Sequence, residues 1–131
     1  MVAKTEASKV VDMRDGRQQV GRRGEAYAAA FLRVKGFRVV AQNWRCRFGE
    51  IDLIVERDDV LRFVEVKTRL TDTYGHPEES ITPTKLEHLR RSIECWLRAH
   101  ASSSKQYQAD VIAIFVKEGS KPEVHWVEGV L

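Results

Sequence analysis

Gly49-Glu50-Ile51-Asp52-Leu53-Ile54 and, one short turn later, Phe63-Val64-Glu65-Val66-Lys67-Thr68-Arg69 decide how this chain is read. Ile51, Leu53, Ile54 and Val55 make one apolar run of strand length, and Leu61, Phe63, Val64 and Val66 make a second, each with acidic groups set inside it. Arg57-Asp58-Asp59-Val60 lies between them, short and polar enough for a tight hairpin turn. With Asp58-Asp59 as a two-residue loop, Arg57 pairs with Val60. Counting outward then sets Ile54 opposite Phe63, Asp52 opposite Glu65 and Glu50 opposite Lys67. Strand side chains alternate, so Glu50, Asp52, Glu65, Lys67 and Arg69 are expected on one face.

Two carboxylates opposed across a ladder repel by roughly 0.2–1 kcal/mol, and by more where they are desolvated. Two readings fit the residues alone. In one, a divalent cation between the carboxylates removes the conflict and leaves Lys67 to meet a phosphate or a water. In the other, these are edge-strand charges, with a Glu50–Lys67 cross-strand ion pair and a solvated remainder. The aliphatic flanks Ile54 and Phe63 argue against a fully solvated face, while a register slip of one residue would send the two clusters to opposite faces.

The chain has 131 residues, enough for one domain with its own core. Its 43% hydrophobic and 31% charged content is that of an ordinary globular protein, which argues against a disordered or fibrous class. No run approaches the roughly 18 apolar residues of a membrane span, and the first twenty residues carry no apolar h-region, so neither a membrane segment nor a secretory signal is expected. Cys46 and Cys95 lack metal-ligand spacing and have no base beside them in sequence; two inert thiols in a reduced, cytoplasmic setting are expected. His76, His88, His100 and His125 have no ligand partner at useful spacing. A net charge of +3 and a pI near 9.0 are compatible with a nucleic-acid partner without requiring one.

Residues 1–20 read as a mobile extension and residues 21–131 as a single domain. A helix is expected from Gly21–Arg23 to Lys35, with one apolar stripe of Tyr27, Ala30, Phe31 and Val34 and another of Ala28, Ala29 and Leu32, stopped by Lys35-Gly36. Phe37–Asn43 reads as the first strand, and Trp44–Phe48 as a basic, aromatic connection into the hairpin. The polar segment Leu70–Pro83 reads as a loop. A second helix starts after Thr82-Pro83, its buried stripe made of Leu86, Leu89, Ile93, Trp96 and Leu97, and its outer face of Glu87/Arg91 and Glu94/Arg98 pairs. Tyr107–Val116 reads as a fourth strand and Val124–Val127 as a short fifth. Strand, helix, strand between residues 61 and 116 makes a parallel crossover, hence an α/β domain: a mixed sheet with an antiparallel hairpin and flanking helices.

A glutamate on the first helix, a strand bearing Asp52 and a strand bearing Glu65-Val66-Lys67 together resemble the PD-(D/E)XK nuclease superfamily, with its restriction-endonuclease-like fold. More narrowly, Arg23-Gly24-Glu25, Asn43, Gly49-Glu50-Ile51-Asp52-Leu53-Ile54 and Phe63-Val64-Glu65-Val66-Lys67-Thr68-Arg69 resemble the bacterial YraN-like family, which is similar to Holliday-junction resolvases and largely uncharacterised. The resemblance covers residues 21–116. A bare Glu-x-Lys triplet is a weak signal; joined to Gly-Glu-Ile-Asp at hairpin distance and to a helix glutamate upstream, it is strong.

The resemblance implies a Mg²⁺-dependent (or Mn²⁺-dependent) DNA endonuclease, with selectivity for branched DNA and a two-fold homodimer resting on the likeness to resolvases alone. It implies Asp52 and Glu65 as metal ligands with the Val66 carbonyl as a third. Lys67 would orient or help deprotonate the attacking water, and Glu25 would reach the site as an outer-sphere or second-metal ligand. Glu50 would either assist the metal or pair with Lys67. A glutamate in a first turn also favours the helix dipole, by about 0.3–1 kcal/mol, so Glu25 has a second explanation. Arg69 follows by alternation as a phosphate contact. Lys85, where the family pattern has a lysine, heads the second helix and suits an anion. Arg45 and Arg47 flank Cys46 beside Trp44 as a strip that could grip a nucleic-acid strand, with Trp44 itself reading as core. Gln108-Ala109-Asp110 stands where the family often has an arginine and an aromatic before the aspartate; Asp110 reads as structural. A nucleic-acid-binding protein without catalysis, or a DNA-processing scaffold, is the alternative, distinguished by Mg²⁺ affinity.

Overall fold

The computed structural model describes residues 13–70, 81–100, 106–117 and 119–131, with the backbone alone for residues 13–19. Its elements are α1 (Met13–Val34), β1 (Arg38–Cys46), β2 (Gly49–Arg57), β3 (Val60–Arg69), α2 (Pro83–Ala99), β4 (Gln106–Phe115) and β5 (Glu123–Val127). The five strands form one sheet in their order along the chain. β3 and β4 are parallel, with α2 between them in sequence, and the other neighbouring pairs are antiparallel. This is the expected α/β domain, a mixed sheet with flanking helices in keeping with a restriction-endonuclease-like fold.

The β2–β3 hairpin turns as the sequence implies. Asp58 and Asp59 have φ of 54° and 63°, the pair of left-handed residues whose twist matches the strands on either side. Aspartate tolerates that conformation better than most residues because its short side chain can hydrogen-bond locally. The register follows from the turn: Arg57 pairs with Val60 and Ile54 with Phe63, as far as Leu53 with Val64.

Alternation then sorts the core into two layers. Leu53, Val55, Val64, Ile112 and Ile114 pack with Ala28, Ala29 and Leu32 of α1. Ile54, Leu61, Phe63 and Ala109 pack with Leu89, Ile93 and Trp96 of α2. Each fully buried Leu, Ile or Phe contributes about 1.5–3 kcal/mol of transfer free energy. Thr82 caps α2, its hydroxyl accepting the Lys85 N–H at 3.2 Å, and Pro83 fills the first turn, where a missing N–H costs nothing. Among the described residues no helix is long and apolar enough to cross a membrane.

Several boundaries differ from expectation. α1 begins at Met13, well ahead of Gly21–Arg23, so residues 13–20 are helical; residues 1–12 of the expected extension lie outside the described residues. Only one stripe of α1 is buried: Ala28, Ala29 and Leu32 meet the sheet while Ala30 is exposed and Val34 is 88% exposed. A helix lying on one face of a sheet buries one stripe against it; of the second, Tyr27 and Phe31 are half-buried at the edge of the core and Ala30 and Val34 stay at the surface. β1 continues to Cys46, taking in Trp44 and Arg45 that read as connection. Most of the polar segment after Leu70, residues 71–80, lies outside the described residues.

Candidate functional site

The sheet loses its regularity at Asp52. Ala41 and Trp44 of β1, three residues apart, both pack on the α2 side, and so do their partners Ile54 and Ile51 of β2. Strict alternation would put residues three apart on opposite faces. Both strands therefore turn over between these positions, at Asn43, whose φ is 50°, and at Asp52. On the other side of Asp52 the β2–β3 ladder stops at Leu53–Val64. The expected Asp52–Glu65 and Glu50–Lys67 pairs are absent from the ladder, and Glu50 and Asp52 do not share a face with Glu65 by simple alternation. Instead the Asp52 carboxylate reaches across the opening and accepts the Val66 N–H at 2.8 Å.

Glu25 comes to this opening from α1, and two residues explain how. A Cβ on Gly24 would lie 1.8 Å from Thr68 Oγ1, so only glycine lets α1 approach β3 this closely. Asn43, in its left-handed conformation, donates from Nδ2 to Glu25 Oε1 at 2.8 Å and orients the carboxylate. Burial pushes the Asp52 carboxyl up to about 7; the Val66 N–H works against that, while Glu25, Glu65 and Glu50 add to it. Three carboxylates thus surround one half-buried carboxyl that has a single donor among the described residues.

The cations are arranged differently from expectation. Glu50 pairs with Arg45 at 3.3 Å and Lys67 with Glu65 at 3.5 Å, so the Glu50–Lys67 pair does not form. Glu50 lies beyond the end of the β2–β3 ladder, so no pairing sets it opposite Lys67. Lys67 lies instead near Lys85 of α2, and the Lys67 charge, with its close approach, burial and Arg69, pulls Lys85 below the usual lysine range while Glu65 opposes. Arg69 also donates to the Thr68 carbonyl at 3.2 Å. Lys67, Arg69 and Lys85, distant or alternate in sequence, form one basic cluster beside Glu65. Arg45 and Arg47 sit apart from it, on the exposed end of the β1–β2 hairpin, where Arg47 lies 4.8 Å over the Phe48 ring. Trp44 packs on the α2-side core, as expected.

The groups gathered at Asp52 offer oxygen donors alone, the carboxylates of Asp52, Glu65, Glu50 and Glu25. Among the described residues no three Asp, Glu, His or Cys side chains converge as a ready-made metal cage. One or two carboxylates with an otherwise watery shell is what a small hard cation such as Mg²⁺ takes, and Asp52, with its unmet charge, fits that role. Gly24 and Asn43 stand out in the sequence only as parts of a motif. The signals of their roles are a glycine inside a helix and an asparagine within a strand, both backbone exceptions.

The matching family model covers residues 24–114 and is described as an uncharacterised protein family, UPF0102. This chain belongs to UPF0102. It is the YraN-like family that the motifs resemble. A UPF0102 protein of Mycolicibacterium gilvum is 42% identical over 118 residues, covering 88% of this chain and 96% of its own length. UPF0102 proteins of Leifsonia xyli and Syntrophomonas wolfei are 40% and 37% identical, covering 88% and 82% of this chain and 98% and 94% of theirs. The UPF0102 match takes in the carboxylate cluster, the basic cluster and the Gly24–Thr68 contact alike.

Proposed function

We propose that this UPF0102 protein is a Mg²⁺-dependent endonuclease that hydrolyses phosphodiester bonds in DNA. The observation that carries the reading is Asp52: a half-buried carboxylate with one hydrogen-bond donor among the described residues, surrounded by Glu25, Glu50 and Glu65, next to a cluster of three cations. A fold gains nothing from that arrangement without a cation on one side and an anion on the other.

Asp52 and Glu65 would hold the metal with the Val66 carbonyl, and Mn²⁺ would substitute for Mg²⁺. Bound there, the metal supplies Lewis acidity, polarising a phosphoryl oxygen and lowering the pKa of a bound water. The remaining work falls to side chains. Lys67 offers a compact charge and N–H donors to the attacking water and to the phosphate, and Glu65 keeps it oriented. Lys85 and Arg69 hold the phosphate, which relieves their repulsion of Lys67. Glu25, fixed by Asn43, orders the outer shell of water. Glu50 tunes the charge of the site with Arg45 as its partner. Arg45 and Arg47 extend the contact to a neighbouring stretch of backbone. A homodimer acting on branched DNA in the cytoplasm is the form of this activity that the likeness to resolvases suggests.

The second reading, a DNA-binding protein or scaffold without catalysis, takes its support from the lack of a ready-made metal cage among the described residues. One experiment separates the two. End-labelled four-way junction, flap, single-stranded and linear duplex DNA are incubated with the protein in Mg²⁺ or Mn²⁺, beside identically purified Asp52→Ala and Lys67→Ala. Metal-dependent products lost in both variants are expected. No product on any substrate, or equal products from the variants, would leave the binding role as the better account.

A further inference from the structure

Cys46 ends β1 and Cys95 lies within α2, and their spacing in sequence suggested two unrelated, inert thiols. The packing of α2 on the hairpin brings them together. Cys46 Sγ lies 3.6 Å from Ser92 Oγ. Ser92 and Cys95, three residues apart on the helix, share a face, so the contact with Ser92 sets the Cys46 sulfur beside the face that carries Cys95, and the two thiols are electrostatic neighbours. The Phe48 and Gly49 N–H groups, where the chain turns from β1 into β2, favour a charge on the Cys46 sulfur. Both cysteines are free and half-buried.

The two sulfurs have different surroundings. Burial opposes a charge on Cys46, yet Ser92, the Phe48 N–H, the Cys95 thiol and the Gly49 N–H together outweigh it and hold that thiol below its ordinary value. Burial and the adjacent Cys46 push Cys95 the other way, against the pull of Arg47 and Arg98. The Ser92 hydroxyl sits on one sulfur, whose surroundings favour the thiolate, while the surroundings of the other keep it a neutral thiol. That is the division of labour between an attacking and a resolving cysteine.

We propose that Cys46 and Cys95 form an oxidisable dithiol that closes reversibly to an intramolecular disulfide, tying the β1–β2 turn to α2. With a peroxide as oxidant, the Cys46 sulfur attacks one peroxide oxygen, the O–O bond breaks, and the departing oxygen leaves as water, giving a sulfenic acid. The Cys95 sulfur then attacks the Cys46 sulfur; the S–S bond forms, the S–O bond breaks, and the hydroxyl takes the Cys95 proton and leaves as a second water. Two thiols and one hydrogen peroxide yield one disulfide and two waters. A dithiol reductant reopens the bridge by exchange. Closure holds the turn bearing Arg47 and Phe48 against α2, where Arg91 lies 5.6 Å from the Phe48 ring. The inference is independent of any activity on DNA.

The full chain is treated with hydrogen peroxide, and its thiols are counted with N-ethylmaleimide and intact mass before and after. Two labels should fall to none, with a mass loss of two hydrogen atoms and a proteolytic fragment joining Cys46 to Cys95. Dithiothreitol should restore both labels. Closure should raise Tm on the order of 5 °C, because the bridge restrains the unfolded chain. Cys95→Ser should stop at a sulfenic acid that dimedone traps on Cys46, while Cys46→Ser should keep its thiol at the same dose. Two labels persisting on wild-type protein, added oxygen in place of lost hydrogen, or disulfides only between chains would overturn the proposal.

Discussion

Asp110 and Asp52 are both drawn into the interior of one sheet, in opposite company. Asp110, fully buried, accepts from Arg62 Nη1 and Trp126 Nε1 at 3.0 Å, from Gln108 Nε2 at 2.9 Å and from the Gly129 N–H at 3.0 Å. Arg62 is completed in turn by Glu128 at 2.5 Å. Asp52 accepts only the Val66 N–H among the described residues and has Glu25, Glu50 and Glu65 around it. The first carboxylate closes its own network and ties β4 to β3 and to the chain after β5. The second is held by packing against its electrostatic preference. A buried charge that the fold satisfies is structure; one that the fold leaves unsatisfied, at a break in the ladder, is a place for a ligand.

That contrast can be broken by mutation. Asp110→Ala leaves Arg62, Trp126 and the Gly129 N–H without their acceptor, and should cost about 3–5 kcal/mol of stability in urea denaturation. Asp52→Asn should do the reverse: stability in metal-free buffer at pH 8 should rise, because the amide still accepts from Val66 and the carboxylate repulsion is gone. Cleavage under the proposed activity should fall by about 10²–10³-fold in the same protein. If Asp52→Asn destabilised the fold as Asp110→Ala does, Asp52 would belong with Asp110 as structure.

A pair of glycines sharpens the contrast further. Gly24→Ala would drive a methyl into Thr68 and lift α1 from β3, costing about 1–3 kcal/mol. It should also weaken the rise in Tm that Mg²⁺ produces, because Glu25 moves with the helix. Gly21 meets nothing within 4 Å, so Gly21→Ala should stabilise the helix by roughly 0.5–1 kcal/mol and leave the Mg²⁺ response unchanged.

The most gradual effect is on pH dependence. Asp52 titrates near 7 in the folded protein against 3.8 in the unfolded chain. Between those values the native state holds the extra proton, so stability falls as pH rises through the window, by up to about 1.4 kcal/mol per unit from this group. Urea midpoints of metal-free protein between pH 4 and 8 should follow that slope, and Asp52→Asn should flatten it. Mg²⁺ should raise Tm at pH 8 more than at pH 5, where proton and metal compete for the same oxygens.

How much of this was legible beforehand depends on range along the chain. The two-residue turn at Asp58-Asp59 sets the register from Arg57–Val60 to Leu53–Val64 by counting, and Thr82-Pro83 marks the head of α2 by its capping chemistry. Both rest on residues adjacent in sequence. Counting failed at Asp52 because alternation assumes an unbroken pleat, and the pleat breaks where β1 and β2 turn over together. Only the left-handed Asn43 hints at that, and asparagine in a strand has many causes. The start of α1 was missed because residues 13–20 are polar and carry no apolar stripe to announce a helix.

The sequence by itself determined the family, the α/β order of elements, the hairpin and the residue types of the candidate site, because alternation, turn chemistry and motif spacing are local properties of a chain. Tertiary structure alone decided which of those residues meet. It took Glu50 from Lys67 and gave it to Arg45, set Lys85 against Lys67, and put Glu25 beside Asp52 through a contact that only Gly24 permits. It also set Cys46 beside the face of α2 that carries Cys95. Those meetings depend on how two helices seat on opposite faces of a twisted sheet. Such seating is set by the summed packing of residues far apart in the chain, and no short stretch of sequence carries it.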